Sequence, residues 1–218
     1  QSSRLIYFVD ADPTWGNDAF PGNILESFAT ITHALSVAAQ EFNPAIHDEV
    51  DIYIWPQPDV FDPSHYYLTP PSNGYTIPAT LQSVNVVVSS LNQLSAADVL
   101  KLWEAFSCPP SFNQSLCITY DAFTMTVWGT SFDTEIICDG DWCNRAFMLQ
   151  NSLVTLQGLW IQGFHAIGDG AAIYINGGFV NVLNCFLYNN NATGRAGDLF
   201  VTGGATATFS GSVTFYAT

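Results

Sequence analysis

Basic residues are almost missing from this chain. Of 218 residues only 4 are Lys or Arg, against 19 Asp or Glu, so the formal charge is −15. Charged residues make up 11% of the chain, where an ordinary globular protein carries roughly 25%. A surface of that sign repels phosphate backbones and anionic lipid, which argues against nucleic acid and membrane-surface partners. It repels polyuronic acids for the same reason. Cations, neutral glycans and other proteins remain as partners. Long apolar runs are also missing: none reaches the ~20 residues that cross a bilayer. Met does not open the chain; Gln1 does. This predicts that an N-terminal piece, such as a signal peptide, has been removed, the other reading being simple trimming.

What is present is apolar, at 48%, enough for a sizeable core and too much for disorder. It is also repetitive. Phe147-Met-Leu-Gln-Asn-Ser-Leu-Val-Thr-Leu lies 26 residues before Ile173-Tyr-Ile-Asn-Gly-Gly-Phe-Val-Asn-Val, and Leu199-Phe-Val-Thr-Gly-Gly-Ala-Thr-Ala-Thr lies another 26 on. Each unit is an alternating strand, a Gly/Asn corner and a second strand. Upstream, Met125-Thr-Val-Trp-Gly matches Val154-Thr-Leu-Gln-Gly at an interval of 29. If one period is one winding, like positions stack at about 4.8 Å and parallel sheets form. Ile173 and Ile175 then lie against Leu199 and Val201 in apolar ladders, and Asn176 and Asn189–Asn191 fall at corners. The expected fold is all-β, a right-handed parallel β-helix in one domain, 1–218. Its parts are an N-terminal strand, loop and cap helix (1–50), early coils with lateral loops and an inserted helix (51–123), and regular coils (124–218). A β-sandwich is the alternative; it needs hairpin turns every 8–12 residues, as a rough rule, and accounts poorly for the 26-residue echo.

Two stretches read as helix. Phe28 to Phe42 has one apolar face and Ser27 as its expected N-cap, and it would cover the N-terminal end of the core. Ser95 to Phe106 starts with Ser95 as N-cap and Asp98 at the capping-box position, with Val99, Leu102, Trp103 and Phe106 as its apolar stripe. Pro56 to Pro78 reads as an irregular lateral excursion.

With these segments in place, a family likeness can be stated. Tyr7-Phe-Val-Asp-Ala-Asp, Gly16-Asn-Asp, Ser27-Phe-Ala-Thr-Ile-Thr-His-Ala-Leu-Ser-Val-Ala-Ala and Asp51-Ile-Tyr-Ile resemble the N-terminal strand and cap helix of pectin-lyase-like right-handed β-helix proteins. The later coils resemble the repeats of chlamydial polymorphic outer-membrane proteins and related microbial and algal surface proteins. Their G-G-A-I phrase appears as Gly170-Ala-Ala-Ile173 and their F-x-x-N phrase as Phe186-Leu-Tyr-Asn189. The last coil departs, with a degenerate Gly197-Asp-Leu-Phe and no Asn after Phe215. The resemblance implies the fold; the superfamily holds lyases, hydrolases, adhesins and structural proteins alike.

The chemistry of those enzymes is hard to find. A polysaccharide lyase needs Lys or Arg as base and as partner for uronate carboxylates, and the repeat region offers Arg145 and Arg195 in separate turns. The polygalacturonase phrases Asn-Thr-Asp, Gly-His-Gly and Arg-Ile-Lys are absent, Gly163-Phe-His-Ala being no substitute. Asp139, Asp141 and Asp169 could gather on one side of the solenoid as acids, but they read first as turn residues that bond backbone amides. The expectation is therefore a non-enzyme: a secreted structural subunit that assembles with copies of itself, or a surface adhesin, with a carbohydrate-active lyase or hydrolase as the alternative.

Five cysteines bear on location. Cys108 with Cys117 and Cys138 with Cys143 read as two local disulfides, which predicts an oxidising, extracellular setting; free cytosolic thiols are the other reading. Cys185 is left over as a buried small apolar residue. Asn113 and Asn191 head glycosylation sequons. Asp10, Asp12, Asn17 and Asp18 gather hard oxygen ligands in one loop, a candidate calcium site, with an Asx-turn loop as the plainer reading. No other cofactor is expected. Most of the 6 Trp are expected in the core or beneath lateral loops rather than on a sugar-binding face.

Overall fold

The computed structural model describes residues 3–58, 66, 68–95, 98, 102, 132–133, 135–137 and 145–216. Within them the chain is all-β with little helix. The strands are β1 (Ser3–Val9), β2 (His47–Ile54), β3 (Gln57–Pro58), β4 (Asn85–Ser90), β5 (Phe132–Asp133), β6 (Glu135–Ile137), β7 (Phe147–Gln157) and β8 (Trp160–Gln162). They continue as β9 (His165–Ala166), β10 (Ile173–Leu183), β11 (Phe186–Tyr188), β12 (Asn191–Ala192), β13 (Leu199–Thr202), β14 (Thr206–Ser210) and β15 (Thr214–Tyr216).

Three sheets take these strands in chain order. The first runs β1-β2-β4-β7-β10-β13, with β14 also on β10; the second runs β6-β8-β11-β15; the third pairs β9 with β12. All their pairings are parallel. One short antiparallel ladder, β3 with β5, stands apart. Like-directed neighbours are what the echo predicts, and what hairpins cannot make.

The register matches the interval. Phe147 pairs with Ile173 and Ile173 with Leu199, while Ile175 pairs with Val201. Alternate residues point inward and make ladders. One runs Tyr7, Ile52, Val88, Leu156, Val182, Phe209 across six strands. From Tyr7 to Val182 every rung is buried. Each fully buried rung contributes about 1.5–3 kcal/mol of apolar transfer. The last strands drift: Phe179 pairs with Thr206 and Phe186 with Thr214, 27 and 28 residues on. The extra residues sit at the Gly203–Ala205 and Gly211–Val213 corners, which is why β13 and β14 are separate where β7 and β10 are continuous.

Small and amide residues make the corners. Asn151, Asn184 and Asn189 adopt φ of 47°, 49° and 51°, left-handed values that asparagine tolerates. Asn190 ties neighbouring repeats together: its Nδ2 donates to Ile161 O (3.0 Å) and its Oδ1 accepts from Phe164 N (3.2 Å). Cys185 is a free, buried thiol, its pKa pushed up to about 11 by burial.

The cap helix α1 (Ile31–Glu41) is shorter than its sequence suggests and its N-cap is Thr30, not Ser27. Thr30 Oγ1 accepts from His33 N at 3.1 Å. Ser27 and Phe28 instead form parallel bridges to Gly16 and Val9, and Ala29 lies in a bend. Phe28 N donates to Phe8 O, Ala29 N and Thr30 N donate to Asp18 Oδ1, and Ser27 Oγ accepts from Trp55 Nε1. α1 packs on β1 and β2 and sends Ile31, Ala34, Leu35 and Ala38 into the core.

Of the second expected helix, Asp98 and Leu102 are described and helical. Ser95 Oγ accepts from Asp98 N (3.2 Å) and donates to Asp98 Oδ2 (2.6 Å), as an N-cap pair should. Val99, Trp103 and Phe106 lie outside the described residues, as does the Met125–Gly129 echo. The Pro56–Pro78 stretch is more than a lateral loop. Its Leu68, Tyr75 and Ile77 are core residues, and Leu68 and Tyr75 bridge in parallel to Ile136 and Phe147.

Candidate functional site

Outward residues of the first sheet build a polar and aromatic face. Met148 and Gln150 on β7 lie in register with Tyr174 and Asn176 on β10 and with Phe200 and Thr202 on β13. Tyr174 and Phe200 stack at 5.6 Å. A guanidinium covers each ring, Arg145 over Tyr174 at 5.1 Å and Arg195 over Phe200 at 4.6 Å. Asp169 joins the two cations. Arg145 Nε and Nη2 donate to its carbonyl at 3.2 and 2.8 Å, and Arg195 Nη2 reaches Oδ2 at 2.8 Å. The Arg195 hydrogen bond holds the Asp169 carboxyl below the usual carboxylate range. The two arginines that the sequence left in separate turns are thus locked around one aspartate. Asp169 also accepts from Arg195 N at 2.7 Å, the turn role expected of it. Asp139 and Asp141 lie outside the described residues.

Beside Arg145 the face sinks into a groove of about 480 Å³ whose walls include Asn73, Thr76, Gln82, Met148 and Gln150. A second groove of about 360 Å³ shares Thr76 and runs along α1 past Thr32, Ser36, Gln40 and Thr80.

A titratable cluster lies on the outer face of β1 and β2. Asp51 is 1% exposed; its Oδ2 accepts from Arg4 Nη1 at 3.2 Å and from the Tyr53 hydroxyl at 3.3 Å. Arg4 Nε also meets Glu49 Oε1 at 3.4 Å. Burial, then the Glu49 charge, pushes Asp51 up to about 6 against the pull of Arg4. Burial raises the Tyr53 phenol too. Sequence reading missed this cluster because Arg4 and Asp51 are far apart in the chain. The available signal was a lone charge inside the apolar run Val50-Asp-Ile-Tyr-Ile.

The four calcium candidates are spread over local bonds. Asp10 is buried and pushed up to about 6, chiefly by burial, with Oδ1 accepting from Asp12 N (3.0 Å) and Gln57 Nε2 (2.9 Å). Asp12 Oδ1 accepts from Thr14 N and Asn17 Oδ1 from Ala19 N. Asp18 accepts from Ala29 N, Thr30 N and the Thr30 hydroxyl. Among the described residues no three His, Cys, Asp or Glu side chains converge as a metal set. A bound calcium would compete with these turn bonds.

Cys108, Cys117, Cys138, Cys143 and Asn113 lie outside the described residues. Asn191 is exposed on β12, and its sequon Thr193 accepts from Gly168 N at 2.9 Å. Several rings expected inside stand on the outer face of the second sheet. Trp160 meets Phe186 edge-on at 4.8 Å and Tyr188 stacks on Tyr216 at 5.3 Å. Trp55 is buried, in a second apolar cluster with Phe8, Ile24, Tyr53 and Leu91.

No protein-family model, no curated protein and no solved structure matches this chain.

Proposed function

We propose that the parallel sheets are the walls of a right-handed β-helix and that the protein is a non-catalytic structural subunit of an extracellular fibre or surface layer, joined to further copies of itself. One observation carries this reading. Inward rungs that are closed in one winding are open in the next: Ile175 is 1% exposed and its partner Val201 37%, Val182 1% and Phe209 47%, Leu187 0% and Phe215 47%. Among the described residues these rungs belong to strands whose outer parallel edge has no partner, a template for a further strand, whether from more of the same chain or from another copy. The segment from Leu199 to Thr218 carries no charged residue, so another copy can approach it despite the net −15. A head-to-tail contact of this kind builds a filament wherever its rotation does not close a ring. The cysteine pairs Cys108/Cys117 and Cys138/Cys143 and the sequons at Asn113 and Asn191 support secretion and glycosylation. A surface adhesin is the near neighbour of this reading. Electron microscopy and sedimentation velocity across a concentration series test it: filaments or growing oligomers are expected, and monomers at every concentration overturn it.

A carbohydrate-active enzyme is the second reading, and the Glu49–Asp51 pair favours it. Two carboxylates share one strand face and one is pushed up to about 6, the pattern of a general acid beside a base. Arg4 bridges both, which suits a strand fastener better than a vacant site. Incubation with neutral and acidic polysaccharides decides between the readings: product release that is lost in Asp51→Asn would make the protein an enzyme.

A further inference from the structure

We propose that the groove beside Arg145 binds a short neutral oligosaccharide. The chain carries 19 carboxylate side chains, yet among the described residues none lines this groove or the one that adjoins it. Beside Ile77, Met148 and Arg145 its walls are amides and a hydroxyl, and among the described residues the side chains of Asn73, Thr76, Gln82 and Gln150 have no hydrogen-bond partner. Each amide offers two N–H donors and a carbonyl acceptor, and the Thr hydroxyl offers both roles. Sugar hydroxyls are likewise donor and acceptor at once, so such a wall suits a polyol better than a peptide or a planar heterocycle. Met148 supplies a polarisable apolar surface for the C–H face of a pyranose ring.

Arg145 is fixed before any ligand arrives. Two of its N–H groups are held by the Asp169 carbonyl and its guanidinium lies over Tyr174. Its remaining donors therefore need little ordering to meet a ring or hydroxyl oxygen. The volume, about 480 Å³, is within the usual range of small-ligand sites. The adjoining groove, where Thr32, Ser36, Gln40 and Thr80 alternate with apolar Leu35, Ala39, Pro71 and Pro78, extends it toward α1 without adding a charge among the described residues, so a linear chain of several sugar units, with polar edges and apolar ring faces, fits the pair. Neutrality follows from the field: one already engaged cation does not offset a net −15, and polyuronates are repelled. The site stands apart from self-association, since it lies at β7 while the open rungs lie on β13, β14 and β15.

Saturation-transfer NMR and isothermal titration on the monomer fraction test the proposal. The probes are neutral tetrasaccharides of β-1,4-linked glucose, xylose, mannose and N-acetylglucosamine, with tetragalacturonate as the acidic comparison. Gln150→Trp fills the groove from an exposed position, Gln82→Ala removes one amide, and Thr14→Trp is a distant control; thermal midpoints check folding. We expect at least one neutral tetrasaccharide to bind, with affinity lowered about tenfold or more by Gln150→Trp, lowered less by Gln82→Ala, and unchanged by Thr14→Trp. The proposal is overturned if no neutral probe binds at millimolar concentration, if binding survives both groove variants, or if tetragalacturonate binds more tightly than every neutral probe. Filament formation is unaffected by any of these outcomes, so the two proposals fail separately.

Discussion

Asp51 and Asp10 are carboxylates that folding penalises when they are charged. Each is pushed up to about 6 by burial, while an aspartate in an unfolded chain titrates near ~3.9. Between those values the folded protein holds protons that the unfolded chain has released, so stability falls as pH rises. The contribution is full below the unfolded value and is lost through about pH 6; the difference between ~3.9 and about 6 corresponds to roughly 3 kcal/mol per group at most. Asp169 works in the opposite sense, its pairing with Arg195 being lost as acid protonates it. The thermal midpoint should therefore be higher at pH 5 than at pH 7.5, and Asp51→Asn should narrow that difference. A midpoint that is flat across this interval, or a variant with the wild-type difference, would remove the account. The same residues mark where sequence reading stops. A lone Asp within an apolar strand signals something, but Arg4 as its partner is set by β1 lying beside β2. The Arg145–Asp169–Arg195 lock is likewise a product of stacking, invisible until residues 24 and 26 apart are placed in adjacent layers.

Elements were more legible than contacts, because their signal is periodic. Ile173 and Leu199 could be paired from the sequence since a regular interval, alternate apolar positions and Gly-Gly corners agree with one another. The start of α1 could not. Ser27 and Thr30 are both good caps, and the choice is made by Phe8 and Asp18, which claim the amides of residues 28–30 from elsewhere in the fold. The separation of β13 from β14 was hidden too, since it rests on a single added residue at a corner. Corners also give a sharp test. Gly178 has φ of +87° and a Cβ there would run into the Ser152 backbone, while Gly204 has φ of +74° with open space around it. Gly204→Ala should cost about 1–2 kcal/mol, the left-handed penalty alone. Gly178→Ala should cost distinctly more, about 3 kcal/mol or above, because strain and clash coincide. Urea denaturation of the two variants side by side checks this; equal losses would mean that the close approach at Gly178 carries no energy.

At the scale of the whole molecule, charge and the open rungs oppose each other. In the proposed assembly a net −15 keeps copies apart, and the uncharged segment from Leu199 to Thr218 is where they would meet. Raising ionic strength screens the repulsion over a Debye length of about 8 Å at physiological salt, so self-association should strengthen from low salt to high. Phe209→Glu should abolish it with little change in the monomer's midpoint, since Phe209 is already half exposed. Light scattering over a salt series with both proteins checks the pair of expectations; growth of the variant at the wild-type rate would place the joint elsewhere.

Chain order and sheet order coincide in the first sheet, from β1 through β2, β4, β7 and β10 to β13. Among the described residues each strand of that sheet is flanked by its nearest predecessor and successor there, and nothing from a remote part of the chain is woven between them. Tension applied to the two ends would therefore peel the structure layer by layer, as a coil of rope unwinds, instead of shearing every ladder at one instant. A body built in this order yields in many small steps and re-forms from whatever layers remain, a behaviour that would suit the surface layer proposed above.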